Sequence, residues 1–449
     1  MHTVLIANRG EIALRVARTC REMGLRVVAI YSTEDRDGPL VRFADKAVCV
    51  GPGPSRHSYL NLPAIMEAAR LTGADAVHPG YGFLSEVSDF AEVCEASGIT
   101  FVGPPAAVID RLGDKSAARA AMAEAGLPLL PGTIEPVGDA EAVAKVAAEI
   151  GYPVIVKAVA GGGGRGMQVV TDPDELPRQY REIRCTAQAL FGDDRVYVER
   201  YLPSARHIEV QVLCDRYGNG VYLGQRDCSV QRRRQKIIEE SPPPGLPADL
   251  SERIGSAALQ GVLAAGYVGA GTVEFLVDDL NRFYFMEVNC RIQVEHPVTE
   301  LTYGIDLVRE QLRIAGGERL DLAQEDLVAR GVAIECRVNA EDPARGFMPT
   351  PGQLYGLSLP AGPFVRVDTA ATASGRISAL YDPLLAKIAV WAPDRPQALA
   401  RMRRALAEFS AEGPGVSTNR DFLLTALDHP LFVAGTHDTS LISRLTDSH

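Results

Sequence analysis

From Gly269 to Glu300 the chain reads GAGTVEFLVDDLNRFYFMEVNCRIQVEHPVTE. Two apolar runs, TVEFLV and RFYFMEV, flank the turn-like DDLN and predict a β-hairpin. Glu274 lies in the first run. Glu287 and Asn289 close the second, two residues apart, which puts their side chains on one face of a strand. Carboxylate and amide oxygens are hard ligands, suited to a Mg²⁺ ion that also holds nucleotide phosphates. Arg291, Gln293 and Glu295 follow, again at strand spacing, and then His296-Pro297. An apolar strand pair gains no stability from so many charges on one face, so the segment is predicted to be a catalytic floor.

Other segments carry chemistry of a related kind. Lys157 ends the β-branched strand YPVIVKAV and is followed by four consecutive glycines at 161–164, then Arg165 and Gly166. Glycines let backbone N–H groups wrap an anion. Four in a row exceed what a hairpin turn needs, and they cost conformational entropy. A lid over phosphates is therefore favoured over a plain turn, although the G-x₄-G-K-[ST] loop is absent. Glu199, in VYVERYL, could mark an interdomain hinge. His207, Glu209 and Gln211 alternate along one strand, as either a site face or an exposed polar face would. The basic run from Gln231 to Lys236 precedes Glu239-Glu240 and reads as an anion pocket facing the metal carboxylates. Arg337, in IECRVNAED, suits an ion pair with a nearby Glu. Cys290 and Cys336 read as structural.

The use of lysine adds a second signal. Six lysines (46, 115, 145, 157, 236, 387) stand among 46 basic residues, so arginine fills the other forty positions. Where arginine is used so freely, a retained lysine suggests a need for a compact ammonium group rather than a planar fork. Lys115, Lys157 and Lys236 all fall in the segments above or open a helix beside them; Lys46 and Lys145 read as surface residues.

Positioning such residues takes several domains, and 449 residues suffice for two or three. Up to about residue 110, short strands (TVLIAN, LRVVAIYS, KAVCVG, ADAVHPG, GITFVG) alternate with amphipathic helices, predicting an open, mostly parallel Rossmann-like sheet. ANRGEIA has one glycine where a dinucleotide fingerprint needs three. A proline-punctuated linker, LPLLPGT, leads to a second strand–helix unit, and the remainder begins near residue 203. The net charge of −11 argues against nucleic acid and acidic membrane surfaces. No apolar run is long enough to span a bilayer. The eight cysteines form no CxxC pair, which suits reduced thiols. The N-terminus enters a strand with neither a basic leader nor a cleavage site. A cytoplasmic location is expected.

Ten ordered segments then carry a resemblance: IANRGEIALR, HPGYGFLSE, GDK, KAVAGGGGRGM, RHIEVQV, RDCSVQRR with its QK, GAGTVEF, MEVNCRIQVEHPVTE, ECRVNAEDP and YDPLLAKI. The chain resembles the ATP-grasp enzymes and, within them, the biotin carboxylase subunit of biotin-dependent carboxylases. The resemblance implies an α/β fold (α+β overall): a Rossmann-like N-terminal domain over residues 1–112, an ATP-grasp lid with its linker helix over 113–202, and a catalytic core with a C-terminal domain over 203–449. It implies ATP with Mg²⁺ or Mn²⁺, and biotin as a substrate not attached to this chain.

Residue by residue, the resemblance implies metal ligands at Glu274 and Glu287, with Asn289 nearby. ATP contacts fall at Lys115, Lys157, Gly162, Gly163, Gly164, Glu199, Leu202, His207 and Gln231. Bicarbonate and biotin would be held at Lys236, Arg291, Gln293, Val294, Glu295, Arg337 and Tyr81. Glu295 would be the base that deprotonates bicarbonate, and Arg337 would stabilise the enolate of biotin. Arg234 stands where the family often has His, Cys290 where Thr is common, and DDLNR is one residue longer than the commonest form. No lysine lies between methionines, so a separate biotin carboxyl carrier protein and a separate carboxyltransferase are expected as partners, and relatives of this type are homodimers. The first half-reaction of a multi-subunit acyl-CoA carboxylase is the expected role, with acetyl-CoA the favoured acceptor and propionyl-CoA and pyruvate systems sharing the same half-reaction. Competing readings are another ATP-grasp ligase that forms an acyl phosphate, and a nucleotide-binding scaffold subunit without turnover.

Overall fold

The computed structural model describes residues 1–133, 135–160 and 166–446. The expected nucleotide contacts Gly162, Gly163 and Gly164 lie outside the described residues.

The first unit is the parallel sheet foreseen from strand–helix alternation. Strands β1 (Thr3–Ile6), β2 (Arg26–Ser32), β3 (Lys46–Gly51), β4 (Ala76–His78) and β5 (Thr100–Phe101) run in the order β3-β2-β1-β4-β5. Every pairing is parallel. The helix Gly10–Glu22 packs Ile12, Ala13, Val16, Ala17 and Cys20 into the core beneath this sheet.

The second unit is a small antiparallel sheet of β6 (Val154–Ala158), β7 (Met167–Val170) and β8 (Val196–Arg200), ordered β7-β6-β8. Val154, Val156, Val170, Val196 and Val198 share one core with Val143, Leu176 and Ile183 of the covering helices.

The third unit is an eight-stranded antiparallel sheet. Its named strands are β9 (Arg206–Cys214), β10 (Gly220–Arg232), β11 (Gln235–Ser241), β12 (Gly269–Val277), β13 (Phe283–Asn289) and β14 (Val332–Asn339). Their order is β13-β12-β9-β10-β11-β14, continued by the strands Leu384–Ala392 and Val365–Asp368. The predicted hairpin is β12–β13, with Glu274 directly opposite Glu287. The register continues the line: Glu274 faces Glu209 on β9, and Glu209 faces Arg226 on β10. Cross-strand partners share a face, so Arg226, Glu209, Glu274 and Glu287 form one row across four strands.

Two expectations need correction. The strand ends at Asn289; Arg291 lies in a bend, Gln293 in irregular chain and Glu295 in a turn that leads into the helix His296–Tyr303. The backbone turns because the Cys290 N–H donates to Glu86 Oε1 (2.9 Å) rather than to a neighbouring strand, and Pro297 starts the helix. The basic run also divides. Arg233 and Arg234 form the tip of the β10–β11 hairpin with positive φ (48° and 66°), as a two-residue type I′ turn requires. Both are exposed at that tip, and Arg232 stacks over Phe347 at 3.8 Å. Lys236 alone of the run's basic residues turns toward the carboxylate row. No helix of the described residues is long and apolar enough to cross a membrane.

Candidate active site

The row of cross-strand partners is the foundation of the site. Arg226 is fully buried and spends its guanidinium inside the row: Nε donates to Glu209, Nη1 to Gln211 Oε1 (2.8 Å) and Thr299 Oγ1 (2.9 Å), and Nη2 to Gln293 Oε1 (3.0 Å). His207, Glu209 and Gln211 are therefore a buried site face, and the exposed-face alternative is excluded. His207 Nε2 lies 2.9 Å from Glu274 Oε2, while Nδ1 meets Gln231 Nε2 at 2.8 Å. Burial opposes charge on that imidazole, but Glu274 raises its pKa above the ordinary value.

Lys236 reaches into this row from β11. Its Nζ donates to Glu209, to Glu274 Oε1 (2.8 Å) and to Glu295 Oε1 (2.7 Å). A tetrahedral ammonium can serve three acceptors that converge on one nitrogen, whereas a guanidinium spreads its donors over three nitrogens in one plane. Glu295 Oε2 accepts from Arg337 Nη2 at 2.9 Å, and Arg337 Nε donates to Glu239 Oε1 at 2.6 Å. Burial works to raise the pKa of Glu295, but Lys236 and then Arg337 hold its carboxyl well below the usual carboxylate range.

The turn after β13 delivers its side chains to the same place without being a strand. Gln293 Nε2 donates to Glu274 Oε1 at 2.9 Å. Arg291 is held by Glu86 Oε2 (2.8 Å, Nε) and by Asn289 Oδ1 (2.9 Å, Nη2). The carbonyl of Val294 accepts from Lys387 Nζ at 2.7 Å.

The residues proposed as metal ligands fit a divalent cation in part. Glu287 faces Glu274 across the ladder, and its carboxyl is pushed up first by burial and then by the charge of Glu274. Two acids so placed favour an added cation. Asn289, in contrast, donates Nδ2 to Glu274 Oε1 (3.0 Å) and offers its oxygen to Arg291. It would have to turn to become a ligand.

A second cluster lies between the lid sheet and the rest. Glu199 on β8 accepts from Arg119 and from Lys157 Nζ. Burial would raise its pKa, yet Lys157 and then Arg119 lower it. Lys115 opens the helix Lys115–Glu124, which Asp114 caps. Burial lowers the pKa of its ammonium, with Glu287 on one side and Lys157 and Glu199 on the other. Lys115 thus joins the two clusters. Leu202 is half-buried in the segment between β8 and β9. Tyr81 turns its hydroxyl to Glu11, and the charge of Arg337 reaches it. Cys290 and Cys336 are buried with thiols pushed up by desolvation, so neither is a nucleophile.

Arg226, Arg119, Glu86, Glu239 and Lys387 were given no role from the sequence. Lys387 carried the signal of lysine scarcity. It is fully buried between Val294 and Glu11.

Three family models match the chain: "Biotin carboxylase, N-terminal domain" over residues 1–109, "Carbamoyl-phosphate synthase L chain, ATP binding domain" over 114–323, and "Biotin carboxylase C-terminal domain" over 335–444. Biotin carboxylase 1 of Bacillus subtilis is 49% identical over 440 residues, covering 98% of this chain and 97% of that protein. Among solved structures, a complex of biotin carboxylase with β,γ-ATP from Campylobacter jejuni superposes with a TM-score of 0.96 at 44% identity, covering 98% of each chain. The biotin carboxylase domain dimer of the 2-oxoglutarate carboxylase of Hydrogenobacter thermophilus, in complex with MgADP, ADP and bicarbonate, gives 0.95 at 43% identity, covering 99% of this chain and 97% of that one.

Proposed function

The chain belongs to the biotin carboxylase family, and we propose that it uses MgATP and bicarbonate to carboxylate biotin carried on a separate protein, releasing ADP and phosphate. The observation that carries this reading is the placement of Glu295 between Lys236 and Arg337, within reach of both.

Bicarbonate is a poor nucleophile that needs a cationic cradle and a base beside it. Lys236, Arg291, Gln293 and the backbone of Val294 form the cradle. Glu295 is the base. In the free protein its two cations keep it weakly basic. An incoming anion shares the charge of Lys236 and so returns basicity to Glu295 at the moment the proton must move. The deprotonated oxygen attacks the γ-phosphate, giving carboxyphosphate and ADP. Glu274 and Glu287, with Asn289 once it turns, would hold the divalent cation that accompanies ATP and neutralises charge on its phosphates. Lys115, Lys157 and the glycines at 162–164 would contact the nucleotide, with Glu199, Leu202, His207 and Gln231 around it. Carboxyphosphate yields CO₂ and phosphate. Phosphate takes the N1 proton of biotin, Arg337 holds the ureido oxyanion, Tyr81 lines the biotin side, and N1 joins CO₂.

The chain divides into domains at 1–112, 113–202 and 203–449, a reading supported by the separate core of the small antiparallel sheet. The carrier protein and a carboxyltransferase are separate partners, the chain pairs with a second copy, and it works in the cytoplasm as half of an acetyl-CoA carboxylase. The acceptor rests on family resemblance alone, since a 2-oxoglutarate carboxylase shares this domain.

Phosphate release from MgATP by the purified chain tests the reading. Release that requires bicarbonate and accelerates with free biotin is expected, and Glu295→Gln should lower it by about 10²–10⁴-fold while nucleotide still binds. Release indifferent to bicarbonate and biotin would turn the assignment to another ligase or a scaffold.

A further inference from the structure

Arg337 is held by two carboxylates that cannot do the same work. Its Nη2 donates to Glu295 Oε2 (2.9 Å) and its Nε to Glu239 Oε1 (2.6 Å). Under the function proposed above, Glu295 becomes neutral when it takes the proton of bicarbonate. Its ion pair with Arg337 weakens just before Arg337 is needed at the oxyanion of biotin. Something else must then keep the guanidinium in place.

Glu239 meets that need. It lies on β11 three residues beyond Lys236, fully buried, and pairs across the ladder with Glu335 on β14. Two residues further along β14 comes Arg337, on the same face as Glu335, and Arg337 pairs in turn with Lys387. The four side chains form a staggered line across three strands, two acids followed by two cations. Lys387 is engaged elsewhere, by Val294 O and Glu11. Both oxygens of Glu335 are buried with no hydrogen-bond partner, and burial pushes that carboxyl well above the usual range. Glu239 Oε2 likewise makes no hydrogen bond. Among the described residues, the hydrogen-bonding oxygen of Glu239 is thus turned to Arg337, and no proton transfer in the reaction involves this carboxyl.

We propose that Glu239 is a positioning residue of carboxyl transfer: it keeps the Arg337 guanidinium aimed at the biotin oxyanion while Glu295 is protonated. It touches neither substrate and acts through Arg337. A structural ion pair would have the same geometry, so the test must separate the two half-steps.

The experiment uses the full chain with MgATP, bicarbonate and free biotin. It measures carboxybiotin formation and, without biotin, the slow bicarbonate-dependent release of phosphate. Glu239→Gln is expected to lower kcat for carboxybiotin about 10- to 100-fold, as misplacement of an orienting group does. Biotin-independent phosphate release should stay within about twofold of wild type. Equal losses in both reactions would overturn the proposal in favour of a structural role. Glu239→Gln should cost nothing further in an Arg337→Ala background; the same factor lost there would also overturn it. Glu239→Asp keeps the charge and should recover part of the carboxylation rate, so no recovery would count against the proposal even if the Gln variant folds poorly. Wild-type release that ignores biotin would remove the reading of the site, and this proposal with it, whatever the variants do.

Discussion

Two buried charge clusters on either side of Lys115 are built with opposite balance. At the hinge, one carboxylate, Glu199, serves two cations, Arg119 and Lys157. At the floor, Lys236 serves three carboxylates, Glu209, Glu274 and Glu295. Arg226 and Arg337 each serve one of them again, and the acid that tips the balance is Glu287 opposite Glu274. The hinge cations also lie within reach of one aromatic face, at 5.7 and 5.9 Å from the Tyr197 ring. A cluster with surplus positive charge is completed by an anion, and one with surplus negative charge by a cation. Phosphates on one side and a divalent ion on the other satisfy both at once, which is what a metal–nucleotide substrate offers. The charge balance at each end thus argues for the orientation of the nucleotide without reference to any relative.

The largest test of that contrast is at Lys236. Replacing it with Met leaves three buried carboxylates sharing fewer cations, and loss of one member of a buried ion pair costs about 3–5 kcal/mol. We expect a lowered denaturant midpoint, no bicarbonate-dependent turnover, and a larger rise in melting temperature on adding Mg²⁺ than wild type shows. Lys236→Arg should recover much of the stability but little of the activity, because a planar fork cannot address three acceptors around one nitrogen. Full activity in Lys236→Arg would refute the argument from ammonium geometry.

The hinge should respond in the opposite sense. Glu199→Gln leaves Arg119 and Lys157 without their buried counter-ion, at a cost of about 2 kcal/mol. Here ATP, not Mg²⁺, is expected to restore the melting temperature, by more than it shifts wild type. Bicarbonate dependence should be unchanged. If Mg²⁺ alone rescued the hinge variant, the two clusters would not be the complementary halves described above.

How far the sequence revealed these clusters depends on how rare each residue type is in this chain. Lysine is scarce, so Lys115, Lys157 and Lys236 stood out, and Lys387 bore the same mark without being given a role. Arginine is everywhere, so Arg226 and Arg119, the most completely buried cations of the two clusters, carried no signal. The spacing at Arg291, Gln293 and Glu295 identified the residues that converge but misread their backbone, because a turn into a helix can mimic the two-residue period of a strand over so short a stretch. Glu86 ends one of the ten quoted segments, but its partners could not be read. Its contact with Arg291 and the Cys290 N–H spans more than 200 residues and joins two units, and no local pattern encodes it. The parallel sheet and the β12–β13 hairpin were legible because apolar periodicity is local.

The smallest expected effect sharpens the comparison through pH. Burial, with Glu295 adding to it and Arg337 opposing, pushes the carboxyl of Glu239 from its ordinary 4.5 up to about 7. The charged and titratable groups around it are Arg337 and Glu335 on β14, Glu295 at the head of the helix His296–Tyr303, and Lys236 on its own strand. A carboxyl whose folded value is raised binds its proton more tightly in the fold than in the unfolded chain. Its stabilising contribution therefore grows as pH falls from about 7 toward 4.5 and is lost as pH rises through about 7. Glu199 is lowered instead, so its contribution is present above 4.5 and is lost only as pH falls below that value. Between about pH 8 and pH 5, wild type should accordingly gain on Glu239→Gln by about 2 °C in melting temperature. The gap between wild type and Glu199→Gln should stay level over the same range. A level gap for Glu239→Gln would mean that this carboxylate is ionised throughout, with Arg337 outweighing burial, and the floor would then carry one more fixed negative charge than its partners suggest.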